Sequence, residues 1–357
     1  RFLVDMNCRV DSGKSGALLW KRKGPAGALL GTGLEAAGDV NGDGVPDVVA
    51  GAPGINAVFV YSGRDGAQLY RLFGDASTTD LGAAVAGIGD FNGDGRSDFV
   101  AGAPSGNSLG ANTGRVIVFS GKDGSRLLTL DGAAAGDGFG STVGGADGRY
   151  FIIGAQGAGP QHRGRVSVYD HLAKTPAFVA DADATGAALG AMFVSVVGDV
   201  DADGTPDIYA TDFANAAMGP STGRTYVYSG KTGQTLRVFT GDKAGEGFGI
   251  GAGRTGDVNG DGYADLVIGS WQYSGAAWSG GRVRVFSGKD GSTLQTFTGR
   301  VPGETLGFDA VGVGDIDGDG TTDYLLTSAW SMVNGLRSGR TFIVAGKITG
   351  ASAPANR

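Results

Sequence analysis

Residues 39–47 read Asp-Val-Asn-Gly-Asp-Gly-Val-Pro-Asp, and the frame Asp-x-Asn/Asp-x-Asp-Gly-x-x-Asp returns at 90–98 (DFNGDGRSD), 199–207 (DVDADGTPD), 257–265 (DVNGDGYAD) and 315–323 (DIDGDGTTD). Side-chain oxygens at positions 1, 3, 5 and 9, with a backbone carbonyl at 7, supply the donors a hard cation takes, and glycine at 6 permits the sharp bend between them. The candidate ligands are Asp39, Asn41, Asp43, Val45 and Asp47 in the first loop, and Asp90, Asn92, Asp94, Arg96 and Asp98 in the second. The third offers Asp199, Asp201, Asp203, Thr205 and Asp207, the fourth Asp257, Asn259, Asp261, Tyr263 and Asp265, and the fifth Asp315, Asp317, Asp319, Thr321 and Asp323. An EF-hand needs a longer loop ending in glutamate between two helices, whereas here an apolar run such as DVVAGAP follows the ninth residue directly. Asn, Asp and Gly also build ordinary β-turns, but recurrence in one register argues for a shared ligand. Magnesium demands a tighter octahedron and keeps its water, so four or five protein oxygens per loop point to Ca²⁺, at five sites.

The loops start at 39, 90, 199, 257 and 315, and the interval between the second and third is about twice the others. A hidden unit is expected there, near 144–155 (GGADGRYFIIGA), with its metal loop shrunk to a turn at Asp147 and Gly148 and no calcium bound. Six units at a mean spacing of about 55 residues, without helical periodicity, are close to the length of propeller blades. Each reads as four short strands. The first carries Leu-Gly or Phe-Gly (Leu30-Gly31, Leu81-Gly82, Phe139-Gly140, Leu189-Gly190, Phe248-Gly249, Leu306-Gly307), and the second is an apolar run after the loop. The third alternates and ends in Ser-Gly or a variant (VFVYSG, VIVFSG, VRVFSG), and a hairpin of the type Lys/Arg-Asp-Gly, as at Arg64-Asp65-Gly66 and Lys289-Asp290-Gly291, turns it into the fourth. Four antiparallel strands per repeat predict an all-β chain, a β-propeller in a single domain spanning residues 1–357.

The Phe-Gly and Gly-Ala-Pro elements flanking these loops resemble the FG-GAP repeats of integrin α-subunit propellers and their bacterial relatives, over nearly the whole chain. The resemblance implies calcium in the five complete loops on one face. It also implies ligand docking on the opposite face, on loops joining second to third and fourth to first strands. Integrin propellers have seven blades; six are favoured here, with seven as the alternative. Arg9 to Lys23 resembles a third-to-fourth-strand hairpin, and the last unit lacks an obvious fourth strand after Gly346, so Ala17 to Lys21 are expected to supply it and close the ring.

Seventeen of the 36 acidic residues sit in the loops; the formal charge of -7 would become about +3 with five Ca²⁺ bound. With no Lys/Arg run, nucleic acid is not an expected partner, and no apolar stretch reaches membrane-span length. The single cysteine, Cys8, is expected to be buried, and the start at Arg1 without a signal-peptide pattern suggests a processed form. Weak calcium sites fill at extracellular millimolar calcium and stand empty in the cytosol, which predicts a secreted or cell-surface protein.

The two histidines, His162 and His171, lie in the loop-poor third unit and outside any zinc or triad motif, and the serines of Ser62, Ser120, Ser229 and Ser287 are explained by turn bonding. No catalytic residue is assigned, although some relatives are joined to hydrolases or lyases. Aromatic residues gather in the loops between second and third strands: Phe213 in the fourth unit, Trp271, Tyr273 and Trp278 in the fifth, Trp330 in the sixth. They suit a sugar ring or a partner's anchor side chain, or they fill the wedge between blades; packing is expected of Trp271 and recognition of Trp278. The chain is thus expected to be an extracellular binding or adhesion module for a protein or glycan. The alternative is a structural or assembly subunit that packs against itself or flanking domains.

Overall fold

The computed structural model describes residues 7–346 apart from 14, 146, 147, 172, 334, 336 and 337; Asp147 lies outside the described residues. It is built of β-strands with two single-turn 3-10 helices, at Pro53–Ile55 and Pro160–His162. A hairpin of β1 (Asn7–Asp11) and β2 (Leu18–Lys23) comes first. Next come β3 (Leu34–Gly38), β4 (Asp47–Ala52), β5 (Ala57–Tyr61) and β6 (Gln68–Phe73), then β7 (Ala84–Gly89), β8 (Asp98–Ala103), β9 (Arg115–Phe119) and β10 (Arg126–Asp131). The third sheet is β11 (Phe139–Gly145), β12 (Tyr150–Ala155), β13 (Arg165–Asp170) and β14 (Phe178–Asp181), and the fourth is β15 (Val194–Gly198), β16 (Asp207–Asp212), β17 (Arg224–Tyr228) and β18 (Thr235–Thr240). The fifth is β19 (Phe248–Gly256), β20 (Asp265–Ser270), β21 (Arg282–Phe286) and β22 (Thr293–Thr298); the sixth is β23 (Leu306–Gly314), β24 (Asp323–Ser328) and β25 (Arg340–Val344). Five sheets have four strands in sequence order, the meander of propeller blades, and the sixth has three among the described residues.

Two compact units divide the chain, Arg1–Val196 and Val197–Arg357, with the boundary inside β15. In the first, three apolar clusters alternate with the sheets. Cys8 and Trp20 of the hairpin pack on Ala50, Phe59 and Tyr61; Val49 and Val60 pack with Phe99 and Phe119; Val100 and Val118 pack with Phe151 and Ile153. In the second, Val267 and Val285 pack with Tyr324 and Leu326. The second strands are continuous apolar runs because both of their faces are covered: every residue of β8, β12, β16 and β20 is buried. The fourth strands are half-exposed, with buried positions Leu128 and Leu130 alternating with exposed ones in β10.

The paired glycines have a packing cause. An added Cβ at Gly51 would lie 1.8 Å from the carbonyl oxygen of Gly82, at Gly102 2.2 Å from that of Gly140, at Gly154 2.0 Å from that of Gly190 and at Gly269 2.0 Å from that of Gly307. The glycine of the Gly-Ala element in one sheet thus touches the backbone of the Phe/Leu-Gly element of the next, at a separation that admits no side chain. These Phe/Leu-Gly pairs open the first strand only in β11, β19 and β23. In the other three repeats they lie just before it, where Leu81, for example, donates its N–H to the Asn56 side chain at 2.9 Å.

The N-terminal segment forms the hairpin read from its sequence, with Cys8 opposite Arg22 and Val10 opposite Trp20. The strand expected to close the ring therefore finds its hydrogen-bonded partner in β1, in a two-stranded sheet. Trp20 also donates its indole N–H to the Gly63 carbonyl at 3.0 Å. In the third repeat, four residues link β11 to β12 in place of a full loop, and Tyr150 stands where the others have their ninth Asp. Tyr150 is buried under the Arg149 guanidinium, 4.8 Å from its ring centroid, and the Arg149 carbonyl takes the His171 N–H at 2.9 Å.

Candidate functional site

Each complete loop folds around its first aspartate. Asp39 Oδ1 accepts the N–H of Gly42 at 2.6 Å and of Asp43 at 3.0 Å, and its Oδ2 accepts that of Gly44 at 2.9 Å. Asp90, Asp199, Asp257 and Asp315 take the N–H groups of their own fifth and sixth residues in the same way. The fifth aspartate accepts the N–H of the seventh residue, as Asp43 does from Val45 at 2.9 Å, fixing the turn whose seventh carbonyl was read as a ligand.

The ninth aspartate has a second role that its position in the motif did not reveal. Asp47 is buried; its Oδ2 accepts the N–H groups of Val40 and Asn41 at 2.9 and 3.1 Å, and its Oδ1 that of Gly63 at 3.0 Å. Asp98, Asp207, Asp265 and Asp323 make the equivalent bonds to Gly121, Gly230, Gly288 and Gly346. The glycine of the Ser-Gly element is therefore the partner of the loop carboxylate. At Gly63 a Cβ would lie 1.8 Å from the Pro46 carbonyl oxygen. Burial pushes the Asp207 and Asp265 carboxyls up to about 6 against the pull of these backbone donors.

Loops within a unit are laced together. Ser97 donates its N–H to the Asp39 carbonyl at 3.1 Å, and Ala264 to that of Asp199 at 2.9 Å. The loops differ at position 3. Asn41, Asn92 and Asn259 donate their side-chain amides to the fifth aspartate at 3.2, 3.0 and 3.1 Å. In the third and fifth loops that residue is Asp, and carboxylate oxygens of Asp199, Asp201 and Asp207, and of Asp315, Asp317 and Asp323, lie within 4.8 Å of one another. An all-oxygen set held this closely, with like charges facing each other, fits a divalent cation. Arg64 stands 3.1 Å from Asp43 and Lys231 3.6 Å from Asp203 at the loop margins.

The aromatic residues lie at the other end of the second strands. In the fifth sheet the loop ends at Asp265 and Trp271 follows Ser270, so six residues of β20, about 20 Å, separate the two regions. Trp271 is half-buried in a T-shaped contact with Trp330 at 4.5 Å and near Phe308 at 5.8 Å, over Gly247. Tyr273 lies beneath the Arg282 guanidinium at 3.9 Å, and Phe213 is half-buried. Trp278 is 72% exposed and Trp330 45%, with exposed Met332 and Val333 beside them. Gly303 joins these side chains: it donates its N–H to the Trp278 carbonyl at 2.7 Å, and a Cβ there would stand 3.8 Å from the Trp278 ring and 4.0 Å from the Met332 methyl.

Sequence reading passed over a recurring ion pair whose signal was the Gly-Arg that opens most third strands. Arg115 pairs with Asp131 at 2.6 Å, Arg165 with Asp181 at 2.6 Å and Arg340 with Glu304 at 2.7 Å. Arg282 meets Asp242 at 2.7 Å and the fully buried Glu246. His162 contacts the Gly157 carbonyl at 2.9 Å, and His171 lies against Asp170.

A family model described as the FG-GAP repeat matches residues 34–66 and 81–119, and one described as the FG-GAP-like repeat matches residues 199–268 and 257–326. The chain is an FG-GAP repeat protein. Neither match extends over residues 120–198, which hold the repeat with the shortened loop. Integrin alpha-5 of Xenopus laevis is 29% identical to this FG-GAP chain over 215 residues, 54% of the chain and 20% of the relative; the chain thus spans about a fifth of that protein's length. Among the described residues of the FG-GAP chain, no helix is long and apolar enough to cross a membrane.

Proposed function

We propose that this FG-GAP chain is a calcium-stabilised extracellular binding module. It takes a protein or carbohydrate ligand on the loops that carry Trp278 and Trp330, and the Asp loops at the far end of the strands hold Ca²⁺. The observation that carries the reading is the contrast within one loop: Trp271 is engaged by Trp330 and Phe308, whereas Trp278, seven residues on, is 72% exposed. An indole in water contributes nothing to the core, and desolvating it against a ligand is a recognised source of binding energy.

The ligands proposed for Ca²⁺ are the side chains at positions 1, 3, 5 and 9 and the carbonyls of Val45, Arg96, Thr205, Tyr263 and Thr321. The ion supplies charge neutralisation for carboxylates that otherwise face each other, so its role is structural. Extracellular calcium near a millimolar and site Kd values near 10⁻⁴ M give roughly 1 to 1.5 kcal/mol per site, which supports a secreted or cell-surface setting. The resemblance to part of an integrin alpha chain supports adhesion as the context. No catalytic role is assigned to the two histidines.

The test is an array of glycans and matrix proteins probed in millimolar calcium with the chain and with Trp278→Ala. Binding to a defined ligand that the substitution abolishes supports a recognition module. A blank array from a folded, metal-loaded chain would contradict it and favour an assembly subunit.

A further inference from the structure

The five complete loops are unequal in charge. The third and fifth carry aspartate at positions 1, 3, 5 and 9, and their carboxylates at 1, 3 and 9 lie within 4.8 Å of one another. The first, second and fourth have Asn at position 3 and so one carboxylate fewer. Among such oxygen-lined loops, calcium affinity is set largely by the count of ligand charges and the rigidity of the site.

The first loop differs further from the second, whose Asp-x-Asn-Gly-Asp-Gly frame it shares, by two guanidinium groups. Arg64, on the hairpin after β5, donates its Nε–H to Asp43 Oδ2 at 3.1 Å and an Nη2–H to the Asp43 carbonyl at 2.6 Å. Asp43 Oδ2 also accepts the Asn41 amide at 3.2 Å, and Oδ1 accepts the Val45 N–H at 2.9 Å, so both oxygens of that proposed ligand are engaged from within the chain. Arg96 of the second loop lies against the first: a Cβ added at Gly42 would stand 0.9 Å from its Nη1. In the second loop Lys122 follows Ser-Gly as Arg64 does in the first. Among the described residues, Asp94 nevertheless accepts only the Asn92 amide and the Arg96 N–H, with no basic side chain at ion-pair distance. In the third loop Lys231 stands 3.6 Å from Asp203, but there four aspartates face it.

We propose that Arg64 and Arg96 are built-in counterions of the first loop, which make it the weakest calcium site of the five. This rests on the loops binding Ca²⁺, as proposed for them. Two positive charges beside three aspartates oppose an incoming dication. Arg64 is 59% exposed, so water screens its pair with Asp43 and high calcium displaces it. When the ion leaves, Arg64 returns to the Asp43 carboxylate and carbonyl and holds the turn. The first loop therefore fills and empties as calcium varies around a millimolar, while the loops with four aspartates stay loaded.

The test is a calcium titration of the full chain followed by proton–nitrogen correlation spectra. The probes are the amides of Gly44, Gly95, Gly204, Gly262 and Gly320, each of which donates to the first aspartate of its own loop. Gly44 should reach its midpoint at about tenfold more calcium than Gly204 and Gly320, and later than Gly95. Combining Arg64→Ala with Arg96→Ala should lower the Gly44 midpoint by about tenfold and leave that of Gly262 in place. Arg64→Ala alone, at an exposed position, should give a smaller shift of the same sign. A Gly44 midpoint at or below that of Gly95, or one unmoved by either variant, would overturn the proposal and leave the calcium sites standing. The absence of a calcium-dependent shift at all five glycines would overturn the calcium sites themselves, and the proposal with them.

Discussion

Asp98 accepts the backbone N–H of Gly121 at 2.9 Å, tying the end of the second Asp-rich loop to the hairpin between β9 and β10. Its other oxygen takes the N–H groups of Phe91 and Asn92 at 2.9 and 3.1 Å, so one buried carboxylate gathers the loop's beginning, its end and the hairpin beyond. The same bond recurs at all five complete loops. It makes the ninth aspartate a structural residue whether or not metal is bound.

Asp98→Ala is therefore expected to destabilise the chain in EDTA as well as in calcium, by about 3 kcal/mol, because two buried N–H groups and one part-buried one lose their acceptor. Asp94→Ala, which alters a proposed ligand nearer the surface and removes the acceptor of the Arg96 N–H, should cost less in EDTA and show its larger effect in calcium. Urea melts of both variants under both conditions check the distinction; equal losses in EDTA would refute it.

Gly102→Ala places a Cβ 2.2 Å from the Gly140 carbonyl, backbone against backbone, and should destabilise by several kcal/mol or prevent folding. Gly13 has open space around it and serves as the control, with Gly13→Ala expected to be neutral. Thermal melts compare the two.

Much of the fold was legible because its signals are local: the Asp frame, strand-length apolar runs and Gly-x-x turns each act within a few residues. The N-terminal hairpin was visible for the same reason, since Arg9 to Lys23 repeats the Ser-Gly-Lys frame of Ser287 to Thr298. What stayed hidden depends on neighbours. The glycines of Gly51 and Gly82 were seen as motif letters, but their cause is mutual contact between sheets. Asp47 looked like a metal ligand alone because Gly63, its partner, lies on a different turn. The exposure of Trp278 against the engagement of Trp271 is likewise a matter of what Trp330 and Phe308 do.

Trp271→Ala should lower stability by about 2 kcal/mol, less than the cost of emptying a fully buried aromatic site because its ring is half-buried, whereas Trp278→Ala should leave the melting temperature unchanged. Scanning calorimetry of the two variants separates packing from recognition. A comparable fall for both would assign Trp278 to the core.

Asp309 on β23 is half-buried, and desolvation raises its carboxyl above the usual range despite the Ala310 N–H that it accepts. The folded state thus disfavours its charged form, so its contribution to stability is most favourable below the unfolded carboxyl pKa near 4 and declines as pH rises through the folded value. Asp309→Asn should be more stable than the parent at neutral pH, with the difference vanishing toward pH 3. Urea midpoints measured from pH 3 to 8 test the sign; a parent more stable than the variant at pH 7 would reverse it.

The most direct measurement is the melting temperature of the purified chain in millimolar calcium and in EDTA. Calcium held in five loops predicts a fall on the order of 10 °C when it is removed, with each loop contributing about a kcal/mol. Superimposable melting curves in calcium and EDTA would contradict the assignment of these loops as structural calcium sites.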